Sequence, residues 1–256
     1  MVLRFVYPNI LVAIPISMIM SAVVAFIFAL ICIRVAETAA VIFFAMMTLA
    51  FGQIIYTVAF KWESLTGGDN GMTEIPSTVL NLGIYKLDLS NPVHFYYFAL
   101  VVIGFSVWII YRIVNSPLGA TLKAVRDNPE RSRFMGQNVR MFHLISFVIS
   151  AAFTGLAGAL VAPFENFVSP ELSHWAKSAE IVIVSILGGV YTFIGPLVGA
   201  AIMKVLEDII SSYTEYWAIV LGSILIPIII FMPDGIVGRI KKIIVSKQSL
   251  LKEIQS

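Results

Sequence analysis

Arg112, Lys123, Arg126, Arg131, Arg133 and Arg140 fall in one stretch, residues 112–140, between two long apolar runs. Cations grouped in this way either meet anionic lipid or dock on a partner protein. Little else is equipped for chemistry. No Gly-x-x-x-x-Gly-Lys-Ser/Thr loop occurs, so no ATP site of the P-loop type is expected and the chain is not expected to be an enzyme. His94, His143 and His174 are scattered at the edges of apolar runs, and no Cys/His cluster points to zinc or haem, so neither metal nor cofactor is expected. Cys32 lies alone in an apolar run, has no intrachain disulfide partner and behaves as a small hydrophobe. The basic residues flank apolar runs rather than forming a patch, which argues against nucleic acid. Ionisable residues are nearly missing from the centres of those runs. Glu207 and Asp208 come nearest, towards the end of theirs. A proton- or sodium-coupled carrier keeps a carboxylate near mid-membrane, so their placement argues for a pore or a carrier driven by something else.

The elements that carry these residues are membrane helices. The 256 residues are 59% hydrophobic and 12% charged, with a mean hydropathy of +0.93, outside the range of soluble domains. Four runs have the length of about 20 apolar residues that a bilayer core requires: 10–33, 38–60, 93–111 and 141–162. A fifth, 216–232, is slightly short. The first is too long for a signal-peptide core, and only Arg4 precedes it, so it reads as a true span.

Short loops rich in Lys and Arg face the cytoplasm. That rule places inside both residues 112–140 and the tail 234–256, which holds Arg239, Lys241, Lys242, Lys247 and Lys252. Residues 61–92 and 163–177 are poor in positive charge and fall outside. Parity then decides the run 179–206. As one span it would leave the basic tail outside. As two shorter segments, about 172–188 and 196–210, it returns the tail inside. Gly188, Gly189, Gly195 and Pro196 are natural breakers between them. The expectation is a single all-α polytopic membrane domain, residues 1–256, of about seven crossings with a broken region at 188–196; one long tilted helix is the alternative. The same count leaves the N-terminus outside, which suggests a missing upstream segment or a short family member. Ala151, Gly155 and Ala159 recur every fourth residue, as do Gly195 and Gly199, the spacing that lets helix backbones approach closely.

Within Ser116–Val139, SPLGATLKAVRDNPERSRFMGQNV, Leu118, Leu122 and Val125 share one helical face, and Lys123 and Arg126 point elsewhere. Asn115 or Ser116 caps the start, Pro117 takes the first helical position, and Pro129 breaks the segment. This is a short polar helix. Its residue types leave open whether its basic side lies on lipid or docks into a partner.

That stretch resembles the coupling loop of branched-chain amino acid ABC transporter permeases, Ser-Pro-x-Gly-Arg followed by Ala-x-Arg-Asp/Glu and Gly-x-Asn-Val. Ser116, Pro117, Gly119, Ala124, Arg126, Asp127, Gly136, Asn138 and Val139 match. TLAFGQI (48–54), SLTGGDNGM (64–72), FVISAAFTGLAGAL (147–160) and ILGGVYTFIGPLVGA (186–200) resemble further family segments in the same order. Ala120 stands where the family usually has Arg, Tyr191 where it often has Gly, and Arg131, Arg133 and Phe134 replace a milder stretch. The family's N-terminal spans have no counterpart.

The resemblance implies an inner-membrane importer subunit that pairs with a second permease subunit. Two cytoplasmic ABC ATPase subunits and an extracytoplasmic substrate-binding protein complete the assembly, in contact with membrane lipid. Pro117, Gly119, Ala124, Arg126, Asp127 and Gly136 become the ATPase-coupling residues. Thr66, Gly67, Gly68, Asn70 and Gly71 form a turn-rich outer loop near the pathway mouth, and Gly188, Gly189, Gly195, Pro196 and Gly155 serve helix breaking and packing. The substrate would be a branched-chain or other small neutral amino acid, with relatives that carry urea or amides. Competing readings are a secondary transporter or channel-like protein, which an inverted repeat would favour, and a truncated non-transporting remnant.

Overall fold

The computed structural model describes residues 9–36, 41–73, 79–81, 86–88, 91–232 and 234–240. The protein is an all-α integral membrane protein whose described residues form two compact units, residues 1–174 and 175–256.

The first unit is built on α1 (Ile10–Ala36), α2 (Val41–Lys61), α4 (Pro92–Val114) and α7 (Val139–Glu165). Three of these, α1, α4 and α7, are long and apolar enough to cross a bilayer, and residues 46–61 of α2 form a shorter apolar segment. At 1.5 Å per residue, α7 with its 27 residues is about 40 Å long. Each of α4 and α7 begins on an Asn cap: Asn91 accepts from the Val93 amide at 3.0 Å, and Asn138 from the Met141 amide at 3.3 Å.

The expected small-residue face joins α1 to α7. A Cβ on Gly155 would strike Ser21 and the Ser17 carbonyl, and the Ser21 hydroxyl donates to the Ala151 carbonyl at 2.8 Å. Small residues admit close backbone approach, and the hydroxyl supplies the interhelical hydrogen bond that lipid cannot. Phe28 of α1 stacks on Phe51 of α2 with ring centroids 4.6 Å apart. Phe95 of α4 stacks on Phe164 of α7 at 6.1 Å and buries Ile10 beside it. Outward residues such as Ile19, Val101 and Phe105 are exposed apolar side chains, a liability in water and the normal state of a lipid-facing surface.

The loop between α2 and α4 carries structure that the sequence pattern did not indicate: a single turn α3 (Glu63–Thr66), a 3-10 turn (Gly68–Asn70), and strands β1 (Met72–Thr73), β2 (Val79–Asn81) and β3 (Lys86–Asp88). β2 and β3 pair antiparallel. β1 pairs antiparallel with β4 (Phe167–Val168), in register Met72 with Val168 and Thr73 with Phe167, which ties the loop to the chain just after α7.

The second unit packs α8 (Trp175–Gly188), α9 (Gly195–Tyr213) and α10 (Trp217–Phe231) around Leu187, Met203, Ile210, Leu221 and Leu225. The run 179–206 is two helices, as parity required. The reason is local. Gly188, Gly195 and Gly199 let the two backbones touch: a Cβ on Gly188 would overlap the Gly195 carbonyl, and one on Gly199 the Val184 carbonyl. Gly189, at φ +117°, turns the chain, and Pro196 opens α9. Gly235 then lies against Gly189, so the chain following α10 returns to the α8–α9 turn.

Candidate functional site: the 112–140 loop and the α8–α9 groove

The polar stretch folds into two short helices, α5 (Pro117–Asp127) and α6 (Pro129–Phe134). Ser116, at φ −84° and ψ 168°, caps α5, with Pro117 at the first helical position. One hydroxyl serves both sides of the elbow. Ser116 Oγ donates to the Ile113 carbonyl of α4 at 2.6 Å and accepts from the Gly119 amide of α5 at 3.3 Å. Asn115, the other capping candidate, ends α4 instead, and its Nδ2 donates to the Tyr111 carbonyl at 2.9 Å.

Gly119 is buried, and a Cβ there would overlap the Ile113 and Val114 carbonyls, so the two backbones meet at that point. Val125 is 2% exposed and Leu118 and Leu122 are half-buried, which seats the expected apolar face of α5 on the bundle. Lys123, Ala124, Arg126 and Asp127 face out. Arg126 donates to Asp127 Oδ1 from Nε at 3.0 Å and from Nη2 at 2.9 Å, with both side chains more than half exposed. A pair this exposed contributes little stability.

Pro129 ends α5, as expected, but also starts α6, because Asn128 caps the next turn by accepting from the Arg131 amide at 2.9 Å. Gly136, at φ +81°, terminates α6, with its amide donating to the Arg133 carbonyl at 2.9 Å and the Gln137 amide to the Ser132 carbonyl at 3.0 Å. Phe134 is 92% exposed at this tip, beside the exposed Met135, a feature that the sequence pattern did not reveal. At the other end of the loop, the Arg112 guanidinium lies 5.6 Å over the Trp108 ring.

Thr66–Gly71 is a tight knot. Gly67, Gly68 and Gly71 all have positive φ. Thr66 Oγ1 donates to the Ala59 and Trp62 carbonyls and accepts from the Gly68 amide at 3.3 Å. A Cβ on Gly71 would meet the Val168 carbonyl and the Phe167 ring. Asn70 lies in the 3-10 turn and is exposed. Nearby, the Tyr56 and His174 rings pack edge to face at 5.1 Å.

The α8–α9 hairpin holds a cavity of about 300 Å3, lined by Glu180, Ile181, Val184, Ser185, Pro196, Ala200, Met203, Lys204 and Glu207. Lys204 stands at the midpoint of the 19-residue α9 and pairs with Glu207 and Asp208, each at 3.2 Å. Lys177 pairs with Glu180 at 3.0 Å on α8. The expectation of a nearly uncharged helix centre therefore fails here. Lys204 was the residue missed, and its spacing three and four residues before two carboxylates was the available signal. Among the described residues, no three His, Cys, Asp or Glu side chains converge as a metal site would need.

Apolar helices joined by close small-residue contacts, with a capped polar helix set on one connecting loop, define a polytopic helical membrane protein. The chain belongs to the branched-chain amino acid transport system / permease component family, whose profile matches residues 1–229. It is 31% identical over 213 residues to the high-affinity branched-chain amino acid transport system permease protein LivM of Escherichia coli K12, covering 76% of this chain and 50% of that protein. It is 29% identical over 142 residues to the corresponding permease protein LivH of Salmonella typhimurium, covering 55% of this chain and 44% of LivH. A probable branched-chain amino acid transport permease protein LivH of Methanocaldococcus jannaschii is 23% identical over 205 residues, covering 75% and 62%. The chain spans about half the length of the curated LivM relatives it matches. No solved structure matches it.

Proposed function

We propose that the chain is the permease subunit of an inner-membrane ABC importer for branched-chain or other small neutral amino acids, and that α5 is its coupling helix. In this reading residues 112–140 and the tail are cytoplasmic, residues 61–92 lie outside, and the bundle makes about seven crossings. A second permease subunit, two ATPase subunits and an extracytoplasmic binding protein complete the assembly. Family membership supports the transport role. The observation that carries the coupling role is the anchoring of α5. It is capped at Ser116, locked backbone to backbone at Gly119 and seated through Val125, while Lys123, Arg126 and Asp127 stay exposed. A helix held this rigidly transmits a displacement imposed by an ATPase as a rigid body, which a free loop would not. Gly119 and Gly136 support the geometry of the loop, and Pro117, Ala124, Arg126 and Asp127 form or flank its exposed surface.

The test is charge reversal at Arg126. Arg126→Glu places two acidic side chains side by side on an exposed surface, so membrane insertion and yield should be unchanged, whereas co-purification of the ATPase subunits should be lost. Undiminished co-purification would remove the docking role from α5.

A further inference from the structure

The cavity between α8 and α9 has a composition that lipid does not tolerate. Gly199 packs on Val184, so Glu180, four residues from Val184, and Met203 and Lys204, four and five residues from Gly199, lie at one level of the antiparallel hairpin. At 1.5 Å per residue that level is about 12–14 Å from the Gly188–Gly195 turn, near the middle of α9, which is about 28 Å long. Lys204 and Asp208 are each 65% exposed, Glu180 41% and Glu207 31%. Ionised side chains at mid-helix in a membrane protein face water or a polar partner, because facing acyl chains is costly.

Both signs of charge are present, and the remaining walls are Ile181, Val184, Pro196, Ala200 and Met203 with one hydroxyl, that of Ser185. A lone acidic cluster would select cations, and an apolar groove would take lipid. A lysine ammonium flanked by carboxylates across an apolar floor complements one chemistry: a small zwitterion with an aliphatic side chain. Its carboxylate fits Lys204, its ammonium fits Glu180 and Glu207, and its hydrocarbon lies on Ile181, Val184 and Met203. The volume, about 300 Å3, is at the lower end for small-molecule sites.

We infer that the α8–α9 groove is a water-accessible station on the translocation path, where Lys204, Glu180 and Glu207 hold the head group of a zwitterionic amino acid. This inference rests on the importer reading and assigns that reading a solute site. The Lys204–Glu207, Lys204–Asp208 and Lys177–Glu180 pairs exchange with the solute, so each charge that would hold it has a partner when the site is empty and binding remains reversible.

The test uses the full chain co-expressed with its partner subunits in membrane vesicles, with Cys32 replaced by Ala. Ala200→Cys, at an exposed lining position that carries no charge, should react with a charged, membrane-impermeant thiol reagent, and millimolar leucine should slow the reaction at least about threefold, whereas glucose should not. Val205→Cys, on another face of the helix, should show no leucine protection. In leucine uptake, Lys204→Gln should raise KM about tenfold or more, the size expected for one charge-assisted hydrogen bond, and Lys204→Arg should restore most of it. If the thiol of Ala200→Cys stays unreactive in a correctly inserted chain, protein or lipid covers the groove. Equal labelling with and without leucine means that no solute sits there. Either result overturns the inference. If leucine protects Ala200→Cys but the unmodified assembly imports none, the site stands and the importer reading falls. Import without protection retains the importer and removes the site.

Discussion

Gly119→Ala measures how firmly α5 is held. The nearest atoms to an added Cβ are the Val114 and Ile113 carbonyl oxygens and the Val114 carbonyl carbon. All are main chain of the last turn of α4, so no rotamer change relieves the overlap. Restoring ordinary contact requires the elbow to open by about 1 Å. Overpacking of this kind costs about 1–3 kcal/mol. The opening also pulls on the Ser116 bridge, whose acceptor arm to the Gly119 amide is already 3.3 Å long. Losing that cap adds about 1 kcal/mol. A total of about 2–4 kcal/mol shifts the seating equilibrium of α5 by a factor of roughly 30 or more. Hydrogen exchange in nanodiscs reads this directly. Amides of residues 120–127 should exchange faster by about that factor, while those of residues 145–158 in α7 stay at the parent rate. Gly136→Ala is the contrast. Its Cβ would meet nothing within 4 Å, but its φ is +81°, so the strain falls on the end of α6 and leaves α5 unchanged. Parent-rate exchange over residues 120–127 in Gly119→Ala would refute the backbone lock and, with it, the physical basis for a rigid coupling element.

Two further outcomes follow from the small-residue contacts. Gly155→Ala should destabilise the first unit by about 1–3 kcal/mol, seen as unfolding at lower SDS fraction by circular dichroism. Ser21→Gly in the same chain should recover part of the loss, because removing the two Ser21 atoms that crowd the new Cβ outweighs the lost hydrogen bond to the Ala151 carbonyl; no recovery would mean that α1 and α7 do not meet there. Gly188→Ala, directed at the Gly195 carbonyl, should cost at least as much and reduce the monodisperse fraction in size-exclusion chromatography, whereas Gly158→Ala, with nothing within 4 Å, should behave like the parent.

Much of this architecture was legible because membrane helices announce themselves through length and composition. The runs read as 93–111 and 141–162 became Pro92–Val114 and Val139–Glu165, and charge parity divided residues 179–206 where glycine packing divides them in the structure. The amphipathic face of α5 followed from spacing alone. What remained hidden depends on contacts distant in sequence or on a residue with two meanings. The β1–β4 ribbon uses two-residue strands that no periodicity marks. Pro129 read as a breaker, but with Asn128 before it the same residue opens α6. Gly119 matched a motif, but only the structure shows the carbonyls that exclude a side chain there. Lys204 breaks no periodicity by itself; its meaning lies in the carboxylates three and four residues further along its own helix and in Glu180 across the hairpin.

The β1–β4 ribbon bears on how the protein is made. Met72 and Thr73 leave the ribosome about 95 residues before their partners Val168 and Phe167. At about 5–20 residues per second, the first strand waits roughly 5–20 s for the second, and through that interval the Gly71 backbone lacks the Phe167 ring and Val168 carbonyl that later enclose it. The knot at Thr66–Gly71 is therefore completed late in biogenesis, once α7 is in place, and a ribosome stalled before residue 167 would leave that surface open to proteases.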